Sequence, residues 1–443
     1  MTTEVELETQ VSHRSEEGLL VASDPDEVYY ENNKKRSWLV VLGSFFGLLP
    51  VWGLANSIGV IQTQLLEYEL SGVSTTTVSW IFSIYTALLQ ICMIFSGTYF
   101  DRHGTRLPLI AGTIMMTGSL LGFANSTKVY QSILSFSGVG IASGILSSPL
   151  MGAVSQYFPA RKRATAMALA GNGGCVGGLI IPTMLRKTYV SLGFAWSMRL
   201  LALISFVCLV ISIFLVKERR VVEAEQMSRK DTVIFYLTKS FNFKALRDDR
   251  KFLFCVLGCV FAEGTVLVTS SLFSFVCIKN GFSSSQAYLF VTVINIGAVA
   301  GRLLSGLLAD VFFGSYNIII FLLVITAVFN FVVWMPFKSS PGAMYTYSIL
   351  YGTFYGGIYS LIPTCCSMIV KKEEFGANYA TMYAITGLSL LGLNPAAAAI
   401  VGNGTSNKRT NGFIAYASAL SLLGAVCISL TRVLCVGAKL KKF

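Results

Sequence analysis

Gly97-Thr98-Tyr99-Phe100-Asp101-Arg102-His103-Gly104-Thr105-Arg106 closes one long apolar run, and Gly306-Leu307-Leu308-Ala309-Asp310 closes another. Each is a Gly-xxx-Asp at the end of the second apolar run in its half of the chain, and the two lie 209 residues apart. A second echo follows at nearly the same interval: Pro149 and Pro182 are answered by Pro363 and Pro395, 214 and 213 residues on. A repeat of this length doubles a whole bundle, and two like bundles can tilt about one centre, as a rocking transporter requires.

The runs around these marks have the length of membrane crossings. A helix needs about 20 apolar residues to span the hydrocarbon core. Twelve such stretches, bounded by charge, Gly, Asn or Pro, are expected at 38–61, 77–99, 107–124, 130–157, 165–185, 194–216, 252–277, 286–309, 317–337, 343–369, 379–401 and 412–435. Mean hydropathy is +0.65, and 54% of residues are apolar against 13% charged, too little polar surface for a water-soluble fold of 443 residues. The predicted class is an all-α membrane protein of twelve transmembrane helices in two pseudo-symmetric six-helix bundles.

Charge sets the orientation. With the N-terminus in the cytosol, 24 of the 34 Lys and Arg residues fall on that side, seven fall outside, and Arg199, Arg302 and Arg432 lie within spans. Basic residues are retained on the cytosolic side, so both termini are expected inside. The division is then a disordered cytosolic tail (1–36), an N-terminal bundle (37–216), a cytosolic central loop (217–251), a C-terminal bundle (252–436) and a basic tail (437–443). The plasma membrane is the expected residence and the vacuolar membrane the alternative. Of the two sequons, Asn125 sits in a loop too short for modification, and Asn403 is the expected glycosylation site.

Several function classes drop out. The net charge of +12 comes from short segments between apolar runs, not from a continuous basic face, so nucleic acid is not an expected partner. The ten cysteines lie in apolar runs without metal-ligand spacing and read as small packing residues; no metal is expected. The glycines of the fifth span (Gly171, Gly173, Gly174, Gly177, Gly178) follow no strand, so helix packing explains them better than a dinucleotide loop. No P-loop, catalytic triad or carboxylate pair is present, which argues against ATP-driven transport and against an enzyme, and no cofactor is expected. The alternative class is a non-transporting nutrient sensor, though the tails and central loop are short for a folded signalling domain.

Gly97, Asp101, Arg102, Gly104 and Arg106 together resemble the loop signature of the major facilitator superfamily. The stretches from Trp38 to Gln62, from Gln156 to Ala164, and from Gly301 to Asp310 are similar to its monocarboxylate-porter family, the fungal branch above all. The resemblance implies alternating-access transport of a small organic solute, monocarboxylate-like or riboflavin-like. It also implies a gating role for Gly97, Asp101, Arg102, Gly104, Arg106, Arg163 and Asp310, which would brace the cytosolic side. Animal members use a first-helix Lys and an eighth-helix Asp with an Arg one turn on. Those positions hold Asn56, Ala298 and Arg302 here, so only the Arg is kept.

Charge inside hydrocarbon costs several kcal/mol unless it is paired or faces water. Arg199 and Arg432, near helix ends, can snorkel. Arg302 lies eight residues from Asp310, about 12 Å into the membrane, and is the expected anion-binding residue of a central cavity. Glu263 is the one acidic residue deep in a span, at similar depth, where it can pair with Arg302 or exchange a proton. Tyr347, Tyr351, Tyr355 and Tyr359 recur every fourth residue and share one helix face, fit either to stack an aromatic solute or to pack a neighbouring helix. Asn56 is the uncharged hydrogen-bonding candidate. The predicted substrate site is Arg302, Glu263, Asn56, Tyr351 and Tyr355, with protons as the candidate coupling ion and a monomer in the bilayer as the expected assembly.

Overall fold

A computed structural model describes residues 25–158, 160–219, 243–370, 375–404 and 406–437, apart from the side chains of 25–28, 101, 102, 160, 161, 163, 164, 310 and 375–377. A short helix α1 (Pro25–Asn32) precedes α2 (Lys34–Ala55), and α3 (Ile58–Gln64) continues it across a break at Asn56 and Ser57 before a π turn, Leu65–Glu69. The rest of the first bundle is α4 (Thr75–His103), α5 (Arg106–Ala124), α6 (Val129–Tyr157) and α7 (Ala160–Leu215). After α8 (Phe243–Asp248) the second bundle comprises α9 (Arg250–Lys279), α10 (Ser284–Leu308), α11 (Ser315–Phe329), α12 (Pro341–Ile369), α13 (Phe375–Val401) and α14 (Asn407–Val436).

Among the described residues ten helices are long and apolar enough to cross a membrane. One of them, Thr165–Leu215, is 51 residues long and folds back at Gly193, whose φ of 76° lies in the left-handed region open to glycine. The expected fifth and sixth spans are therefore two helices that meet directly at Gly193, without a loop between them. The remaining crossing, α12, spans 29 residues but falls outside the ten on hydropathy. It carries no charge; five tyrosines, with Ser, Thr and Gly, dilute its apolar character.

Packing repeats between the halves. The first crossing lies against the fifth and sixth in both bundles (α2 on α7, α9 on α13 and α14), and the second lies on the fourth (α4 on α6, α10 on α12). The halves then meet reciprocally, α4 on α13 and α7 on α10. Twelve crossings put α2's start, α14's end, α7's end and α9's start on one face, here the near face. The loops after α3, α5, the first limb of α7, α9, α11 and α13 lie on the far face.

Residues 25–36 depart from the expected disordered tail, while residues 1–24 lie outside the described residues. Tyr29 stacks edge-on with Tyr157, ring centroids 6.0 Å apart, and Tyr30 packs on Phe158 at 5.1 Å. These two rings give α1 an apolar anchor that its acidic composition hides. All ten cysteines are free, eight of them buried.

Candidate functional site

The first crossing breaks where it meets the other half. Asn56 caps α2; its Nδ2 donates to the Gly174 carbonyl at 3.2 Å, and its Oδ1 accepts from the Tyr355 hydroxyl at 2.7 Å. Broken helices are tolerated at membrane depth where side chains or a cavity take over the freed backbone groups, which is where carriers place their sites. Nearby, Asn295 donates to the Gly178 carbonyl at 2.9 Å, again between halves. A small recess at this level is lined by Asn56, Ser270, Phe273, Ile294, Asn295 and Tyr355.

Arg302 lies next to this recess on α10, half-buried. Its guanidinium acts electrostatically on Tyr355, on Tyr359 and on Cys175 of the opposite half. Its Nε is buried with no hydrogen-bond partner. Tyr359 stands edge-on to Tyr355 at 5.2 Å and also feels Glu263, so it lies between the two charged residues.

Glu263 is fully buried, and no ion pair joins it to Arg302. Its partner comes from the other bundle: Gln90 of α4 donates through Nε2 to Glu263 Oε2 at 2.9 Å. Gly387 of α13 presses on the same amide, because a Cβ there would come within 3.0 Å of Gln90 Oε1. A carboxylate buried in the bundle needs donors to offset desolvation, and Gln90 supplies one.

The tyrosine stripe divides into two parts. Tyr347 belongs to the second bundle's packing: its hydroxyl donates to Asn330 Oδ1 at 2.8 Å, and its ring lies among Phe273, Trp334 and Tyr351. Tyr355 reaches the other half through Asn56. Tyr351 lies between the two parts; its hydroxyl is buried and closes no hydrogen bond. The stripe can form because α12 approaches α10 closely: at Gly297, Gly301, Gly352 and Gly356 a Cβ would collide with the backbone of the facing helix.

Four gating side chains named from the sequence, Asp101, Arg102, Arg163 and Asp310, lie outside the described residues. Gly104 ends α4 with φ 79°, and the side chain of Glu218 occupies the space where its Cβ would stand. The Thr105 hydroxyl donates to Glu218 Oε2 at 2.5 Å, which ties the signature loop to the start of the central segment. Burial works against ionisation of Glu218, but the Thr105 hydroxyl, backbone N–H donors and Arg106 hold its carboxyl below the usual range. Gly97 and Gly306 have room for a Cβ, and Arg106 is exposed. Asn403 is exposed in the far-face turn after α13. Arg199 donates to Asn125 Oδ1 at 2.8 Å and lies over the Trp196 ring, where it meets the aromatic and polar end of its helix.

On the far face the halves are latched. Lys279 bridges to Glu67 at 2.9 Å, Tyr68 bonds Ser284 at 3.2 Å, Tyr288 donates to Gln64 at 3.3 Å, and Thr75 donates to the Gly402 carbonyl at 2.7 Å. The described inter-half hydrogen bonds all lie at the midplane or beyond it toward this face.

Gln90, Asn295 and the latch were not among the residues singled out from the sequence. Gln90 left a readable signal, an amide midway along an apolar crossing. Comparison with known proteins agrees with the geometry. A riboflavin transporter of Saccharomyces cerevisiae, MCH5, is 38% identical over 421 residues, 92% of this chain and 80% of that protein. The Agnestins efflux protein AgnL12 of Paecilomyces divaricatus is 31% identical over 370 residues, 81% of this chain and 79% of that one. The solved nucleoside transporter NupG, in a point-mutant form, superposes with a TM-score of 0.68 over 89% of this chain and 99% of its own, at 12% identity. Residues 39–391 match the family description Major Facilitator Superfamily. Twelve crossings, two like bundles meeting reciprocally at a broken first helix, and this match agree: the chain is a membrane transporter and belongs to the Major Facilitator Superfamily.

Proposed function

We propose that this transporter carries a small organic solute with an anionic or strongly hydrogen-bonding edge and an aromatic or planar body, bound at the midplane between Arg302, Tyr355, Asn56, Tyr351 and Glu263. One observation carries the reading: the Arg302 guanidinium stands beside the Tyr355–Asn56 bond that joins the two halves, with a buried Nε unpartnered. A guanidinium offers a planar fork for carboxylate or imide oxygens, and Tyr355 and Tyr359 offer ring faces at the same depth. The 38%-identical relative is named a riboflavin transporter, which favours a flavin-like solute over a short aliphatic monocarboxylate.

The basic near face is cytosolic on this reading, since Lys and Arg are retained there. The structure then corresponds to the state sealed toward the exterior, with the far-face latch as its outer gate. The gating residues of the signature loop brace the cytosolic side in the opposite state. A monomer suffices for this cycle, because both halves of the site come from one chain.

Purified protein in vesicles, offered labelled riboflavin, short monocarboxylates and aromatic acids at two external pH values, tests the proposal. Arg302→Ala is expected to abolish flux of the carried solute, a loss of at least about tenfold for a charged hydrogen bond of about 1.5–3 kcal/mol, at unchanged abundance. Unchanged flux removes Arg302 from the site, and no flux of any solute by the wild-type protein refutes the substrate class.

A further inference from the structure

Two acceptor atoms at the interface between the halves close no regular hydrogen bond. Gln90 gives its one described hydrogen bond through Nε2 to Glu263 Oε2 at 2.9 Å; Gln90 Oε1 is buried and bonded to nothing, and Glu263 Oε1 closes no hydrogen bond of regular geometry, the Tyr383 hydroxyl being the other side-chain donor that acts on the carboxyl. An ionised carboxylate has no proton to offer and leaves Gln90 Oε1 bare. A neutral carboxylic acid has one O–H, and an acid facing a primary amide can close a ring of two hydrogen bonds, each group giving one and taking one. Exchanging the nitrogen and oxygen of the amide leads to the same answer, because an amide oxygen against Oε2 also needs the acid's proton.

We infer that Glu263 is carried as the neutral acid in this far-face-closed state, and that its proton completes an acid–amide clasp with Gln90 that holds the two bundles together. The inference rests on the reading above that places Glu263 at the translocation pathway, and it adds a specific role for Gln90. The surroundings fit. Tyr383 and Tyr379 of α13, Tyr359 and Tyr355 of α12, and Cys259 of α9 are the titratable groups that act on or feel this carboxyl. All are neutral groups at neutral pH. No cation among the described residues pairs with it; on its side Arg302 acts on Tyr359 and Tyr355 and not on the carboxyl itself. Among the described residues α3 carries no titratable side chain and no titratable group of α14 acts on this carboxyl, and a buried charge without a counter-ion is costly. Gly387 keeps the amide seated, since any larger residue would push into Gln90. Loss of the proton to water would leave Gln90 Oε1 without a donor against a charged carboxylate and release the clasp, which makes the closed state dependent on that proton.

Infrared difference spectra of the purified full-length protein read the acid directly. At neutral pH the wild type is expected to show the carbonyl band of a neutral carboxylic acid, sensitive to deuterium. Glu263→Gln should remove the band, and Gln90→Leu or Gln90→Met should shift it to the higher frequency of an acid with fewer hydrogen bonds. No such band in the wild type, a band that survives Glu263→Gln, or a band unmoved in whichever Gln90 variant folds would each overturn the inference. Because the measurement needs no substrate, it can fail while vesicle flux still supports the transport reading, and the reverse.

Discussion

At the residue scale, the site is built from groups whose charge was visible and whose partners were not. Arg302 and Glu263 stand out because ions in hydrocarbon are rare. That Glu263 meets Gln90 instead of Arg302 depends on how the two bundles rotate against each other, which no pattern within one helix encodes. The Tyr355–Asn56 bond gives a sharp expectation. Tyr355→Phe leaves the half-buried Asn56 Oδ1 without its donor, at a cost of about 1 kcal/mol to the closed state, and equilibrium solute binding to the purified protein should change by about fivefold. Glu218 gives a pH-dependent one. Its folded-state value is lowered, so its contribution is complete above the unfolded carboxylate range and is lost as pH falls through the lowered value. Glu218→Gln should therefore lower the melting temperature at neutral pH by an amount that disappears in acid. The effect should be at most about 1 kcal/mol, since the side chain is only half-buried and water screens it.

At the scale of the element, the twelve crossings were readable because apolar length and interrupting charge are local properties. Their joins were less so. The expected fifth and sixth spans are two helices that meet at Gly193 with no loop between them, and the first span splits at Asn56, since continuity depends on what satisfies the backbone around each break. The helix α1 was missed because its anchoring rings meet residues more than 120 positions away. The α10–α12 pair carries the clearest packing prediction. Gly301→Ala drives a Cβ into the Thr353 backbone and should destabilise the protein by about 1–3 kcal/mol, read as a lower melting temperature in detergent. Gly306→Ala, with nothing within 4 Å of the new methyl, should be neutral or stabilising by up to about 1 kcal/mol. The repeat that revealed the fold thus marks a glycine this state does not need for space.

At the scale of the whole molecule, the sequence repeat foretold two bundles, and the structure supplies the state in which they rest. Four polar links on the far face hold them; their members come from helix ends and turns far apart in sequence, which explains why none was legible beforehand. The Tyr288–Gln64 bond is buried, but the other three links are partly exposed and worth at most about 1 kcal/mol each, so the latch can open on the timescale of transport. Lys279→Ala should shift the resting population toward the state open on the far face, seen as faster labelling of a cysteine introduced at Asn295. The central claim is that solute crosses only when this face can part. Cysteines at Glu67 and Lys279, oxidised to a disulfide in vesicles, test it most directly. The account predicts that flux of the carried solute stops on cross-linking and returns on reduction, whereas flux that continues with the far face covalently shut would contradict it.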